Sequence, residues 1–385
     1  MAVSIILSKN NDILIFDSNC QKVKLLNAGN SPFLDKDIIE FVKAIPDNEH
    51  FVILSEYTDA LFRSDFIVIA LPTNWLQTEQ RLDISAIYET LKLIEEKNPK
   101  AIIIIKSTLS YGTMRLFTER FPELKIAYVP EFLREGTAVQ DEKNLSRLII
   151  GVYNNNDTII SKVTDLFLST QRKNVPVLTM NGSEAELVKL YSNAYLAMRI
   201  AFFNELDTLA EVNNLNSNKI IKGVSLDPRI GDFYNIPSFG FGGYCLPKDS
   251  RELSSVYSDV PSIIIPSIEK SNIIRKQHIV SMIIKHINTI NKPNPIIGIY
   301  RLTMKRDSDN FREAAVLYIL QQLIEMHYTT VIYEPLIATD TYNSVTVIKD
   351  LSEFKNRCDI IIANRFSSEL CDISNIVYTR DYVEI

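Results

Sequence analysis

The sequence predicts an α/β protein in which two doubly wound domains are joined by a long central helix. The first observation is that short, continuously apolar, β-branched segments alternate with segments of helical spacing near both ends of the chain. The second is that residues 183–213 keep helical spacing without interruption. The third is length, because 385 residues exceed what one ordinary core holds and indicate two or three domains. Uninterrupted apolar runs are typical of parallel strands buried on both faces, and their alternation with helices builds a doubly wound sheet.

The first domain is predicted to span residues 1–182. Its strands are expected at residues 13–16, 66–70, 101–105 and 147–153, and its helices at residues 20–28, 35–43, 83–96 and 157–170. In such sheets, ligands bind at the carboxyl ends of the strands. Asp17, Thr73 and Thr108 follow three of these strands, so we expect them to lie at the ligand-binding edge. For the two threonines, capping of a helix by the hydroxyl is the alternative interpretation.

The start of this domain lacks a feature that dinucleotide-binding sheets normally have. Such sheets open with a strand and G-x-G-x-x-G, whereas this chain has no glycine before Gly29. The acid that binds the ribose normally follows that motif by about 20 residues, yet only sixteen residues precede Asp17. We therefore expect residues 2–9 to be the rear of the first helix. The first strand and its glycine loop would be missing, through a start inside a longer reading frame or a truncated product. The alternative is that residues 3–7 are themselves the strand.

Residues 183–292 are predicted to form a central helical region. Ser183 to Glu186 suggest a capping box at its start. Apolar residues recur so widely along the following helix that much of its circumference should be buried, at a domain or subunit junction. Lys189 and Asn193 share one face of this helix. Their small and apolar neighbours favour a ligand contact over the usual solvated lysine.

A glycine-rich loop in this region carries the candidate nucleophile. Three glycines fall just before Cys245 in the segment from Ser238 to Asp249, and glycine lets the backbone approach a ligand closely. Lys248 follows three residues after Cys245, and a nearby cation favours a nucleophilic thiolate. The alternative is a flexible turn in which the cysteine has no role.

Residues 293–385 are predicted to form a second, smaller α/β domain. Its strands are expected at residues 296–300, 330–333, 359–363 and 376–378, with a helix at residues 311–327.

Composition excludes several classes of function. The net charge of −6 argues against nucleic acid or an anionic membrane as a partner. Four cysteines and four histidines show no metal-ligand spacing, so no metal site is expected. No apolar run approaches the roughly 18 residues of a membrane-spanning helix, and no signal peptide is recognisable. We expect a cytoplasmic protein.

Several motifs occur in order and with fitting spacing. They are Pro130–Ala138 (PEFLREGTA), Glu186-x-x-Lys189-x-x-x-Asn193, Leu226–Gly231 (LDPRIG), Gly240-x-Gly-Gly-x-Cys245-x-Pro-Lys248-Asp249, and Tyr300-Arg301-Leu302-x-Met304-Lys305 followed by Ser308–Arg312. From about Ala2 to its end, the chain resembles the short bacterial form of the UDP-glucose 6-dehydrogenase family. The resemblance implies two Rossmann-like domains, the second of which binds the UDP-sugar. It also implies oxidation of UDP-glucose to UDP-glucuronate with two molecules of NAD.

The resemblance further implies residue roles, with Cys245 forming a thiohemiacetal and then a thioester. The implied catalytic residues are Cys245, Lys189, Asn193, Asp249, Glu131 and Thr108. The implied NAD contacts are Asp17, Lys22, Thr73, Thr108, Glu135, Lys248 and Arg312. The implied substrate contacts are Phe132, Leu133, Arg134, Lys189, Asn193, Arg229, Tyr234, Asn235, Phe239, Gly242 and Lys305. Arg229 resembles an arginine that reaches the partner subunit's substrate, which implies a homodimer.

Two alternatives stay open at this point. The substrate could be another nucleotide sugar, UDP-N-acetylmannosamine or GDP-mannose, although Tyr234, Asn235, Phe239 and residues 300–305 favour UDP-glucose. The chain could instead be an inactive UDP-sugar-binding or dimerising subunit that lacks the cofactor loop.

Overall fold

The computed structural model describes residues 1–56, 63–153, 156–171, 174–303 and 313–381. The chain divides into two compact units, Met1–Tyr191 and Ser192–Ile385. The finer division at residues 182 and 292 stays a prediction. No helix in the described ranges is both long enough and apolar enough to cross a membrane.

The first unit is an α/β structure, as predicted. Its helices are α1 (Ala2–Leu7), α2 (Cys20–Asn27), α3 (Lys36–Val42), α4 (Ser85–Lys97), α5 (Thr113–Arg120), α6 (Ala138–Lys143) and α7 (Asp157–Leu168). Its strands are β1 (Ile13–Phe16), β2 (Phe51–Leu54), β3 (Phe66–Ile69), β4 (Trp75–Leu76), β5 (Arg81–Leu82), β6 (Ile102–Ile105), β7 (Lys125–Tyr128), β8 (Leu148–Val152) and β9 (Val177–Asn181), with a short 3₁₀ turn at Ile45–Asp47. The main sheet has the order β3-β6-β7-β8-β9.

Helices cover both faces of this sheet. Ile103 and Ile105 pack on one side with residues of α4 and α5. Ile102 and Ile104 pack on the other side with residues of α7. Successive side chains of a strand point to opposite faces. Because both faces of β6 are covered by helices, every residue of this strand is apolar, which accounts for its consecutive isoleucines.

Strands β1 and β2 form a separate two-stranded parallel sheet. Strand β3 pairs with β6, and no ladder among the described residues joins β1 to β3. The residues of β1 and most of β3 are only half-buried, in contrast to the fully buried β6. Residues 2–7 form helix α1, so the alternative of a strand at residues 3–7 is wrong.

The long central helix is confirmed as α8 (Gly182–Val212), which begins in the first unit and continues in the second. The predicted capping box at Ser183–Glu186 is wrong by two residues. The N–H of Ser183 donates to Asn181 Oδ1, and the N–H of Asn181 donates to Glu184 Oε2. This is the reciprocal pattern of a capping box formed by Asn181 and Glu184.

The second unit contains a second α/β sheet. Its further helices are α9 (Ser217–Ser225), α10 (Cys245–Val256), α11 (Ile264–Ile287), α12 (Ala315–Glu325) and α13 (Leu351–Arg357), with a 3₁₀ segment at Ser368–Ile376. Its strands are β10 (Ile297–Tyr300), β11 (Thr330–Tyr333), β12 (Thr341–Tyr342), β13 (Val345–Val347), β14 (Ile360–Ala363) and β15 (Val377–Tyr378). The sheet has the order β12-β13-β11-β10-β14-β15, and only β12 is antiparallel to its neighbour.

Candidate active site

The glycine-rich loop of the second unit leads directly into helix α10, and Cys245 is the first residue of that helix. The cysteine is exposed. The N-terminus of a helix carries partial positive charge, which favours the thiolate form of a cysteine placed there. The loop therefore presents an accessible sulfur in surroundings that suit a nucleophile.

The glycines of this loop are required by the protein's own packing. A Cβ atom on Gly242 would lie 2.4 Å from the backbone oxygen of Glu313, closer than any side chain tolerates. Gly243 has a φ of +81°, a left-handed conformation that favours glycine. Gly242 is a predicted substrate contact. In this structure, the group that approaches Gly242 closely is the backbone of Glu313.

Buried polar side chains hold the loop in place. Asn272 of α11 both accepts the N–H of Phe241 at 2.8 Å and donates to its carbonyl at 2.9 Å. Asn364 accepts the N–H of Phe239, and Arg275 donates to the carbonyl of Ser238. Sequence reasoning did not find Asn272, Asn364 or Arg275. An asparagine beside the isoleucines of helix α11 is a signal that could have identified Asn272. The ring of Phe239, a predicted substrate contact, is fully buried in the apolar core.

Asp249 lies one helical turn after Cys245 and is fully buried. Asn193 Nδ2 donates to Asp249 Oδ2 at 2.5 Å. Lys248 Nζ lies 2.9 Å from Asp249 Oδ1, as an ion pair, and 5.2 Å from the centre of the Tyr244 ring. The structure thus brings three predicted residues together, with an amide and an ammonium compensating a buried carboxylate.

In the first unit, Lys189 lies against the segment that follows β7. Lys189 is buried, and its Nζ donates to the backbone carbonyl of Glu131 at 2.5 Å. Its ammonium also lies 5.4 Å from the centre of the Phe132 ring. The Glu131 side chain is 41% exposed, so this carboxylate is accessible to water. The predicted residues Lys189, Glu131 and Phe132 therefore form a second cluster.

A cavity of about 310 Å³ lies beside this cluster. It is lined by Lys106, Glu131, Phe132, Leu133, Arg134 and Glu142, among others. Arg134 forms an ion pair with Asp141 at 2.6 Å, and Arg147, which sequence reasoning missed, stacks on the Phe132 ring at 4.0 Å. Burial raises the pKa of the Glu142 carboxyl, and the nearby Lys106 only partly opposes this.

The two threonines predicted at the sheet edge contact each other. Thr73 is buried, and its Oγ1 donates to the backbone carbonyl of Thr108 at 2.9 Å. The hydroxyls of Ser107 and Ser110, on either side of Thr108, are buried and make no hydrogen bond within the described ranges. Two unsatisfied hydroxyls fit a polar ligand at this edge, since buried polar groups are normally paired. Glu135 is exposed, in a turn beyond Arg134.

Asp17 follows β1, and the predicted cofactor residues Asp17 and Lys22 contact each other. Lys22 Nζ donates to Asp17 Oδ2 at 2.8 Å, and the N–H of Asn19 donates to Asp17 Oδ1 at 2.9 Å. Partial burial raises the pKa of Asp17, but the hydrogen bonds from Lys22 and Asn19 outweigh it and lower the pKa overall. The carboxylate is therefore charged and oriented at the end of its strand. It fits the ribose end of a dinucleotide.

The remaining substrate predictions lie in the loop after α9. Arg229 is 87% exposed and pairs with Asp227 at 2.6 Å. Asn235 is buried and donates to Ser225 Oγ at 2.7 Å, whereas Tyr234 is partly exposed with a φ of +54°.

Arg199 of α8, which sequence reasoning missed, donates to the carbonyls of three residues of this loop, Ile230, Gly231 and Phe233. Arg312 and Lys305 lie outside the described residues.

Comparison with known proteins extends over nearly the whole chain. Models of the UDP-glucose/GDP-mannose dehydrogenase family match in three parts, the NAD binding domain at residues 1–170, the central domain at 183–273 and the UDP binding domain at 298–380. A UDP-glucose 6-dehydrogenase of Campylobacter jejuni is 41% identical over 99% of this chain and 95% of that protein. One of Streptococcus pneumoniae is 38% identical over 99% of this chain and 96% of that protein.

Solved structures support the fold. A UDP-glucose dehydrogenase from the hyperthermophilic archaeon Pyrobaculum islandicum superposes with a TM-score of 0.87 at 23% identity, covering 100% of this chain and 91% of that chain. The predicted resemblance is thereby confirmed, and the chain belongs to the UDP-glucose/GDP-mannose dehydrogenase family.

Proposed function

We propose that this chain oxidises the C6 hydroxyl of UDP-glucose to a carboxylate, giving UDP-glucuronate with the reduction of two NAD. The observation that carries the proposal is Cys245, an exposed sulfur at the N-terminus of α10, one turn before Asp249, which accepts a hydrogen bond from Asn193. The relatives at 41% and 38% identity bear the name of this activity. Bound NAD supplies the hydride acceptor at each oxidation.

The first oxidation converts the C6 alcohol to an aldehyde, as a hydride leaves C6 and the hydroxyl loses its proton. Glu131 suits the proton transfer, directly or through water, because its carboxylate is accessible. Asp249 suits it less, because it is fully buried and engaged by Asn193 and Lys248. We assign Asp249 to holding Asn193 and Lys248 in position.

The second oxidation needs the aldehyde to be held until another hydride leaves. The Cys245 thiolate adds to the aldehyde carbon, and the oxygen takes a proton, giving a thiohemiacetal. Loss of a hydride from C6 and of the hydroxyl proton then gives a thioester. Water attacks this thioester, the C–S bond breaks, and the carboxylate and the thiolate are released. Cationic Lys189 and the Asn193 amide would stabilise the negative oxygen that develops at each addition.

The substrate is tested by supplying UDP-glucose, UDP-N-acetylmannosamine and GDP-mannose separately and following NADH formation. We expect two NADH per UDP-glucose and a preference for this sugar in kcat/KM. A preference for either other sugar would overturn the assignment. A protein that binds UDP-glucose but shows no binding of NAD in titration would instead be the inactive sugar-binding subunit.

Asp17 is expected to control the affinity for NAD. We predict that Asp17→Ala raises the KM for NAD about 10- to 100-fold, because a hydrogen bond to a charged group contributes about 1.5–3 kcal/mol. Steady-state kinetics at saturating UDP-glucose would measure this. Asp12→Ala is the matched control, since Asp12 pairs with His50 on the surface and both side chains are exposed. Equal effects of the two substitutions would contradict a cofactor role for Asp17.

We further propose that the protein is a homodimer that acts in the cytoplasm. In the second unit, α8 exposes a row of large apolar residues at helical spacing, Tyr195, Phe202, Leu209 and Val212, each more than half exposed. Such a row is typical of a face that a partner covers, and a second copy fits the role inferred for the exposed Arg229. None of the four cysteines forms a disulfide bond, as expected in a reducing compartment.

A charge on this face is expected to dissociate the dimer. Phe202 is 60% exposed, so Phe202→Glu should leave the fold intact and give a monomer, measured by sedimentation velocity at micromolar concentration. Lys92→Glu, at an exposed position of α4, is the control and should stay dimeric. A wild-type protein that sediments as a monomer would rule out the dimer.

A further inference from the structure

Glu186 has no role in the mechanism above, yet it is a fully buried charged residue of the first unit. It lies near the start of α8, one turn before Lys189. The apolar cluster around this point includes Leu109, Met114 and Ala185. A carboxylate in such surroundings is costly unless hydrogen bonds compensate its charge.

The compensation comes from the N-terminus of helix α5. Glu186 Oε2 accepts the N–H of Gly112 at 2.6 Å, and Glu186 Oε1 accepts the N–H of Met114 at 2.5 Å. Gly112 is the N-cap residue of α5, has a φ of +87°, and has no side chain that could cap the helix. Glu186 is therefore a cap supplied by another helix, and a carboxylate at this position gains from both hydrogen bonds and the helix dipole.

The capped turn follows directly on the loop that carries Thr108. This loop, residues 107–111, is held at one end by the hydrogen bond from Thr73 to the carbonyl of Thr108. Beyond its other end, the N–H of Gly112 donates to Glu186, 74 residues away in sequence. Because Lys189 follows three residues later on the same helix, Glu186 ties the position of Thr108 to that of Lys189.

We propose that Glu186 is a positioning residue for the oxidation, which fixes the Thr108 loop relative to Lys189 by capping α5 from α8. The proposal rests on the proposed function. Displacing a reacting group by about 1 Å can slow a reaction about 10²-fold. A loosened Thr108 loop should thus affect turnover more than substrate binding.

The first test compares Glu186→Gln with the parent enzyme. The amide keeps the shape of the side chain but turns an NH₂ toward one of the two N–H groups that the carboxylate accepts. We expect kcat to fall about 10- to 100-fold, with the KM for UDP-glucose within about 3-fold of the parent value. Glu123→Gln makes the same change at an exposed position of the first unit and should leave both constants within about 2-fold. An unchanged kcat for Glu186→Gln would overturn the proposal.

The second test separates positioning from general stabilisation. If Glu186 acts through the Thr108 loop, Glu186→Gln should have a much smaller effect on kcat in a Thr108→Ala background. Effects that simply multiply would overturn the proposal. Glu186→Asp, which keeps the charge but shortens the side chain, replaces Glu186→Gln in both tests if the amide variant fails to fold.

A third measurement does not depend on activity. Amide hydrogen exchange at Gly112 and Met114 should be at least about 10-fold faster in Glu186→Gln, with exchange in α7 unchanged. Unchanged exchange at the two amides would overturn the capping role. This readout remains valid if the protein fails to oxidise UDP-glucose, so failure of the proposed function is distinguishable from failure of the positioning role.

Discussion

Replacement of Cys245 by serine is expected to abolish the formation of UDP-glucuronate. A serine hydroxyl at neutral pH is a far weaker nucleophile than a thiolate, and no other described cysteine lies at the start of α10. We expect kcat for acid formation to fall at least about 10³-fold, a typical cost of losing a catalytic nucleophile. Product analysis by mass spectrometry, together with NADH counting, would measure the loss.

The matched control is Cys371→Ser, which changes another exposed cysteine of the second unit in the same way. This variant should turn over at the parent rate. Acid formation by Cys245→Ser at a rate close to that of Cys371→Ser would show that no thioester is needed.

Replacement of Asp207 by asparagine is expected to have the largest effect on stability. Asp207 is fully buried and accepts hydrogen bonds from Arg275 at 2.6 Å, from Arg380 at 2.5 Å and from Ser217 at 2.7 Å. The substitution leaves Arg275, itself buried, without its counter-charge. Removing one partner of a buried ion pair costs about 3–5 kcal/mol, and we expect a loss of this size in the free energy of unfolding.

Urea denaturation followed by circular dichroism would measure this loss. Asp340→Asn makes the same change at an exposed position of the second unit and should alter the free energy of unfolding by less than about 0.5 kcal/mol. A similar small effect for Asp207→Asn would mean that the arginines find other partners, such as Glu211, which lies 3.1 Å from Arg380.

The sequence predicted those parts of the fold that depend on local pattern. Strand β11 and helix α8 were placed within one residue at each end, because an apolar run or a long helical repeat is visible in consecutive residues. Strands β2, β4, β5, β7, β9, β12 and β13 were not predicted. Strand β9 lies at the edge of its sheet and is mostly exposed, so it carries little of the apolar signal that marks a buried strand.

The site was predicted residue by residue from motifs, whereas its supporting contacts were not. Glu186, Asn272 and Arg199 act through partners at least 31 residues away in sequence. Such pairs form only when the fold brings distant segments together, so no local spacing reveals them. The capping box was misplaced for the same reason, because two glutamates near the start of α8 fit the local pattern and only the fold assigns one of them to α5.

The division of the first unit's strands between two sheets has a consequence for the behaviour of the protein in concentrated solution. Strands β1 and β3 each have a single strand partner among the described residues, and both are apolar in sequence. An apolar strand at the edge of a sheet can pair with strands of other molecules. Intermolecular pairing of this kind grows with concentration and would compete with the proposed dimerisation through α8. Lysine or proline substitutions in these edge strands would hinder it without changing the residues around Cys245.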